Sequence, residues 1–265
     1  MFDRFNRRIH YLRISVTDRC NLRCQYCMPA EGVPLFCHED LLTLEEIRDF
    51  TAVAVEMGVD KVRLTGGEPL LRRGIVDLVR MLAEIPGIRD LAMTTNGTLL
   101  DRYAADLRAA GLMRVNVSMD SYIPERFAEI TRGGKLSVVQ EGIAAARAAG
   151  FENIKLNCVI ESSTDEEDAR SVARFGAVER LEVRYIHRMH TDKGIFKPVI
   201  GGEGGHCASC NRMRLTATGL VTPCLFSNQS WSVRQLGARE ALLAALAAKP
   251  ESGQTSHHLF SQMGG

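Results

Sequence analysis

Apolar and polar residues alternate in "YLRISV" (11–16), the two-residue period of a strand. "LTLEEIRDFTAVAVEMG" (42–58) reads as a helix, with Thr43 and Glu46 in a capping-box pattern and Gly58 as its stop. The alternation returns in "KVRLT" (61–65), "LAMTT" (91–95), "RVNVSM" (114–119), "NIKLNCVI" (153–160) and "RLEVRYI" (180–186). Helices are expected between them, near 74–85, up to about 110, near 124–131 and 137–149, and over the acidic stretch "TDEEDARSVARFGA". A strand–helix alternation repeated six times implies an α/β fold with a parallel sheet, because each helix supplies the crossover that a parallel pair requires. Whether the strands curl or stay open, ligands sit beyond their carboxyl ends. After residue 190 the pattern fails. A glycine-rich run, "GGEGG" (201–205), is followed by one more helix, "REALLAALAAK" (239–249), and a polar tail expected to be poorly ordered unless something holds it.

Charge narrows the choice of ligand. The 265 residues are 45% hydrophobic and 25% charged, with a net charge of +1. A general nucleic-acid binder is usually more basic, so an anionic ligand should be small and met by local arginines. The chain lacks an apolar run of the ~18 residues that suggest a membrane span. "MFDRFNRRIHYLRI" lacks the apolar stretch of a signal peptide, so the expected location is the cytoplasm, with neither membrane nor nucleic acid as partner.

Six of eight cysteines form two triplets: Cys20, Cys24 and Cys27 in a Cys-x3-Cys-x2-Cys spacing, and Cys207, Cys210 and Cys224 in Cys-x2-Cys-x13-Cys. In a chain of this length such clustering favours metal over disulfide. Thiolates suit zinc or iron–sulfur clusters. A structural zinc site needs four closed ligands, which Cys37 or His38 could complete in the first triplet and His206 in the second. Three thiolates on a four-iron cluster instead leave one iron open to a small molecule. Cys37 and Cys158 stand alone and read as incidental thiols.

The first triplet, with "TGGEP" (65–69), resembles the radical S-adenosylmethionine (SAM) superfamily. "LRISVTDRCNLRCQYCMPAEGVPL", "VRLTGGEPLLRR", "TTNG", "VNVSMD", "CASCNRMRLTATGLVTPCLF" and the final Gly264-Gly265 are similar to the GTP 3′,8-cyclases of molybdenum cofactor biosynthesis. The resemblance implies a partial (β/α)6 TIM-type barrel over 1–187. A small C-terminal iron–sulfur extension, residues 188–265, would carry an auxiliary cluster and a Gly-Gly tail. It implies two 4Fe-4S clusters and SAM as cofactors. Cys20, Cys24 and Cys27 would hold the cluster that binds SAM, and Cys207, Cys210 and Cys224 the one that anchors the purine. The reaction implied is hydrogen abstraction from the ribose 3′ carbon of GTP, with ring closure onto guanine C8 to give (8S)-3′,8-cyclo-7,8-dihydroguanosine 5′-triphosphate. An electron donor such as flavodoxin or ferredoxin, a downstream pterin-forming enzyme and a homodimer belong to the same expectation.

By motif match, Arg13, Lys61, Arg63, Arg184, Arg212 and Arg214 correspond to GTP-contacting positions, with Arg13, Arg212 and Arg214 also catalytic. Tyr26, Gly66, Gly67, Glu68, Thr94, Ser118 and Lys155 correspond to cofactor-binding positions, and Lys155 also resembles a substrate lysine. The strand reading agrees in part, since Lys61 and Arg63 are two apart and share a face. A salt-bridged barrel interior would share that pattern. The chain departs from the family at His187, where Glu is usual, at "VIESSTDEED" after the fifth strand, and in a shortened 188–205 connection that should leave the pocket more open or smaller. Two other readings fit the cysteines: a radical SAM paralogue that modifies a peptide or another nucleotide, and a zinc-stabilised binding protein.

Overall fold

Side chains on successive strand residues point to opposite faces. Here the two faces differ sharply. In the computed structural model, which describes residues 1–258 and 263, β1 (Tyr11–Ser15), β2 (Lys61–Thr65), β3 (Asp90–Thr95), β4 (Arg114–Ser118), β5 (Ile154–Ile160) and β6 (Glu182–His187) pair in parallel, each with the next. One face presents Leu12, Ile14, Val62, Leu64, Val115, Val117, Leu156 and Cys158, all fully buried in a single core. The crossovers that cover this face are α1 (Leu44–Glu56), α2 (Ile75–Ala83), α3 (Leu100–Ala109), α4 (Pro124–Thr131), α5 (Leu136–Ala148) and α6 (Glu167–Glu179). The opposite face carries Arg13, Arg63, Thr94, Asn116, Ser118 and Asn157 and lines a chamber.

The α1 capping box forms as the sequence implies: Glu46 N–H donates to Thr43 Oγ1 (3.1 Å) and Thr43 N–H donates to Glu46 Oε2 (2.7 Å). Arg234, from far along the chain, adds two hydrogen bonds to the same carboxylate and draws it below its ordinary pKa.

The sheet does not stop at β1. The segment after residue 190 supplies β7 (Arg212–Leu215), β8 (Leu220–Thr222) and β9 (Trp231–Ser232), then α7 (Val233–Leu236) and α8 (Ala238–Ala247). Strand β7 pairs in parallel with β1, so the order across the sheet is β6-β5-β4-β3-β2-β1-β7-β8-β9. The sequence reading missed β7 because "RMRL" puts arginines at the alternate positions. Met213 and Leu215 enter the core, while the two arginines join the chamber.

The short connection after β6 folds back on that strand's free edge. Tyr185 and Ile200 exchange both backbone hydrogen bonds at 3.0 Å, and His190 and Ile195 form a second antiparallel bridge. The glycine-rich run then closes one side of the chamber. Gly205 has φ +83°, and a Cβ there would stand 2.4 Å from the Lys197 carbonyl oxygen. The tail is held through residue 258: Ser256 N–H donates to the Thr191 carbonyl and His257 N–H to Asn228 Oδ1. Gly264 and Gly265 lie outside the described residues.

Candidate active site

The strand register stacks cations in two rows. Tyr11 is level with Lys61 on one side and Arg212 on the other; one layer further, Arg13 is level with Arg63 and Arg214. Tyr11, 5% exposed, serves as a common platform: the Lys61 ammonium lies 4.9 Å from its ring centre, Arg212 5.5 Å and Arg63 5.8 Å. Burial alone would raise the Tyr11 pKa, yet Arg63, Arg13, Arg212 and Lys61 together bring it below the ordinary value. For the guanidiniums burial and the neighbouring cations act in the same direction, both downward. Burial, then Arg214, pushes Arg13 well below its usual pKa. Burial, with Arg212 beside it, brings Arg214 down to about 10.

The chamber encloses about 500 Å³. Its described lining includes nine Lys and Arg residues against two carboxylates, Asp120 and Glu203. Part of this charge is neutralised inside the protein. Lys61 lies 3.4 Å from Asp90, which Arg114 also grips, and Arg184 pairs with Glu182 at 2.8 Å. Among the described residues, Arg63 and Arg212 form no ion pair with a carboxylate; Arg63 donates to Thr94 Oγ1 at 3.1 Å. The alternative of a salt-bridged interior holds at Lys61, Arg114 and Arg184.

The cysteine triplets lie at opposite ends of the strands that line this chamber. Cys20, Cys24 and Cys27 follow the carboxyl end of β1. Cys210 lies two residues before the amino end of β7, and Cys224 follows β8, which runs back toward that same end. The second triplet lines the chamber directly. The first lies behind Tyr26, whose hydroxyl donates to Asp120 Oδ2 at 2.9 Å; Val159 N–H donates to the other oxygen at 2.8 Å. Burial raises Asp120 to about 6 and holds the Tyr26 hydroxyl well above its usual pKa.

Both donor sets suit a cationic cluster. Burial and the neighbouring Asp120, Cys27 and Cys20 disfavour the Cys24 thiolate, and Cys27 is pushed up to about 12. Without a cation, three thiolates in so little water repel one another. Backbone amides already face two of the sulfurs: Leu22 N–H is 3.5 Å from Cys20 Sγ and Phe226 N–H is 3.4 Å from Cys224 Sγ. Among the described residues, no three His, Cys, Asp or Glu side chains converge closely enough to hold one metal ion. Neither triplet is drawn in to single-ion spacing, and His206 completes no such set.

The glycine pair shapes the first triplet from below. A Cβ on Gly67 would lie 2.2 Å from the Arg19 carbonyl oxygen, and one on Gly66 would lie 2.6 Å from that of Thr17. The loop can therefore lie on β2 only because side chains are absent there. Glu68, fully buried, accepts from Thr95 Oγ1 (2.7 Å), Asn96 N–H (2.7 Å) and Leu70 N–H (3.0 Å); burial raises it to about 7. It ties the end of β3 to the glycine turn.

Of the expected site residues, Arg13, Tyr26, Lys61, Arg63, Thr94, Ser118, Arg184, Arg212, Arg214 and the second triplet line the chamber. Gly66, Gly67, Glu68 and the first triplet are outside that lining: the glycines lie against Thr17 and Arg19, and Glu68 holds Thr95 and Asn96. Lys155 stands apart from the lining, its ammonium on Glu182. Sequence reading missed Tyr11, Asn116, Asn157 and Lys249, which also line it. Tyr11, Asn116 and Asn157 carried a signal, each lying two residues from an expected site residue on the same strand face (Arg13, Ser118 and Lys155); Lys249 carried none. The tail reaches this site at Met263, which is buried against Leu225 and Phe226; its carbonyl accepts from Arg214 Nη1 at 3.1 Å.

Comparison with known proteins agrees with this layout. Residues 14–176 match the Radical SAM superfamily. The chain is 40% identical to the GTP 3′,8-cyclase of Alkaliphilus oremlandii (strain OhILAs), covering all of both chains, and 40% identical to that of Moorella thermoacetica (strain ATCC 39073 / JCM 9320), covering 97% and 95%. Among solved structures, Streptococcus suis SuiB bound to precursor peptide SuiA superposes with a TM-score of 0.69 at 14% identity, over 92% of this chain and 66% of that longer one. Native anSMEcpe with bound AdoMet gives a TM-score of 0.62 at 14% identity, over 91% and 81%. At such identities the structures share the fold. The sequence relatives are closer, and by them this chain belongs to the radical SAM superfamily and, within it, to the GTP 3′,8-cyclase family.

Proposed function

We propose that the chain is a radical SAM GTP 3′,8-cyclase, acting in molybdenum cofactor biosynthesis. The observation that carries this reading is the double row of cations around Tyr11, beside a cysteine triplet, within one chamber. Arg13, Lys61, Arg63, Arg184, Arg212 and Arg214 bind the triphosphate, since arginine forks match phosphate oxygens in pairs. Lys155 joins them when its Glu182 partner releases it. Cys207, Cys210 and Cys224 at the same end would hold a 4Fe-4S cluster, which would supply an anchoring site for the purine. At the opposite end Cys20, Cys24 and Cys27 hold the other cluster, and Gly66, Gly67, Glu68, Thr94, Ser118 and Tyr26 hold SAM. When bound, that cluster and SAM supply the one-electron chemistry that removes a hydrogen atom from the ribose.

The protein's own part is placement. The ribose falls between the phosphate rows and Tyr26, level with Asn116 and Asn157, whose side-chain amides can bond its hydroxyls. The apolar wall of Phe196, Leu225 and Phe226 keeps water from the reacting carbon. Arg13, Arg212 and Arg214 are also the catalytic set. The barrel, 1–187, thus carries the SAM end and 188–265 the auxiliary-cluster end of one sheet. A flavodoxin or ferredoxin donates the electron, the product passes to a pterin-forming enzyme, and the chain works in the cytoplasm as a homodimer. Among the described residues, no helix is long and apolar enough to cross a membrane.

Anaerobic reconstituted protein given SAM, a reductant and GTP should release a nucleotide of unchanged mass with new ring connectivity, alongside 5′-deoxyadenosine. Deoxyadenosine formed at the same rate with or without GTP, and no new nucleotide, would overturn the cyclase reading in favour of another substrate. Zinc in place of iron and sulfide would overturn both.

A further inference from the structure

Among the largest fully buried side chains is a lysine, and the chemistry above leaves it unused. Lys249, 1% exposed, follows α8, just before Pro250 ends the helical direction. Its ammonium donates to the Arg212 carbonyl at 2.7 Å and the Pro223 carbonyl at 2.6 Å. The first of these belongs to the second residue after Cys210, the other to the residue before Cys224. One side chain thus joins the two strands that present the second triplet. Among the described residues no carboxylate forms an ion pair with it, and its third donor has no protein acceptor. Burying a full charge against two neutral carbonyls is unfavourable unless a counter-charge completes the site.

The neighbouring backbone is fixed as well. Arg7 donates to the carbonyls of Cys207 and Glu251, both at 2.8 Å, and of Pro250 at 2.7 Å, while Asp3 holds its Nε at 2.7 Å. The ammonium therefore has a set position at the chamber wall beside Cys210 and Cys224. Three thiolates around an iron–sulfur cluster carry net negative charge in both oxidation levels. Such a cluster is the missing counter-charge.

We propose that Lys249 is the positioning residue of the second cluster. It fixes the spacing of Cys210 and Cys224 through the two carbonyls, and its remaining N–H and charge stabilise the reduced cluster. This rests on the reading that Cys207, Cys210 and Cys224 hold a cluster. A nearby buried cation favours the added electron and so raises the reduction potential.

The test uses the full chain with Cys20, Cys24 and Cys27 changed to Ala, so that only the second cluster remains after anaerobic reconstitution. K249M, which removes both donors and charge, should lose most of the iron and sulfide bound by this parent. K249Q, which keeps donors without charge, should retain more iron than K249M but show a more negative midpoint in an electron-paramagnetic-resonance titration. At a fixed reducing potential its reduced fraction should fall several-fold. Parental iron content and midpoint in both variants would overturn the assignment. A parent protein without iron or sulfide would instead overturn the reading on which it rests, and the assignment with it.

Discussion

Gly67→Ala adds one methyl group where the structure leaves no room. The new Cβ would lie 2.2 Å from the Arg19 carbonyl oxygen, 2.6 Å from the Arg19 carbonyl carbon and 3.0 Å from the Asp18 oxygen. All three are backbone atoms, so no side-chain rotation relieves the contact. Reaching ordinary van der Waals separation requires the loop to withdraw by more than about 1 Å. Two hydrogen bonds oppose that movement: Gly67 N–H to the Thr17 carbonyl (2.8 Å) and Glu68 N–H to the Arg19 carbonyl (2.7 Å). Overpacking of this kind costs about 1–3 kcal/mol, and weakening the hydrogen bonds adds about 1 kcal/mol. A total near 3 kcal/mol corresponds to a fall in Tm of roughly 6–12 °C for a domain of this size. Arg19 precedes Cys20, so the displacement also moves one thiol out of its set. Thermal unfolding of the metal-free chain, followed by circular dichroism, should show the drop. Iron per chain after reconstitution should fall by about half, since the second triplet is distant. A Gly67→Ala protein with full iron and a Tm within about 2 °C of the parent would refute the packing argument.

Glu68 gives a pH dependence of known sign. Its folded pKa of about 7 exceeds the ordinary 4.5, so the folded chain keeps a proton that the unfolded chain has lost. Its contribution is therefore fully present below pH 4.5 and lost as pH rises toward 7, by about 3 kcal/mol; urea unfolding of the metal-free chain at pH 5 and 8 should show the decline, and Glu68→Gln should flatten it. Replacing Arg63 or Arg212 by Ala removes a charge-assisted phosphate contact of about 1.5–3 kcal/mol and should weaken GTP binding roughly 10- to 100-fold, as read by equilibrium dialysis, while GTP-independent SAM cleavage persists. Tyr11→Leu should weaken GTP binding several-fold by removing the ring under three cations, whereas Tyr11→Phe should remain close to the parent; equal losses would show that the hydroxyl, not the ring face, is what counts.

The alternation in 11–16, 61–65 and 114–119, the capping box of Thr43 and Glu46 and the spacing of the first cysteine triplet needed no coordinates to be read, because each is a local rule. Periodicity fixes which face of a strand is apolar, and three thiols within eight residues can meet by loop closure alone. The same alternation paired Lys61 with Arg63. It could not say that Arg212 and Arg214 continue their rows across β1, because that depends on β7 pairing with β1 from about 200 residues away. Nor could it say that Lys155 is held by Glu182, or that a lysine near the end of α8 lies buried beside Cys210.

What the sequence by itself determined was chemistry: the ligand types, their grouping in threes, and the strand faces on which basic residues fall. Only the tertiary structure decided direction and distance. It put the two triplets at opposite ends of one set of strands, gathered separately encoded cations around Tyr11, and chose which charges are neutralised inside the protein. The physical reason is that strand register and helix packing set long-range proximity, and these are settled by burial summed over the whole sheet and its crossovers, a quantity no single segment carries.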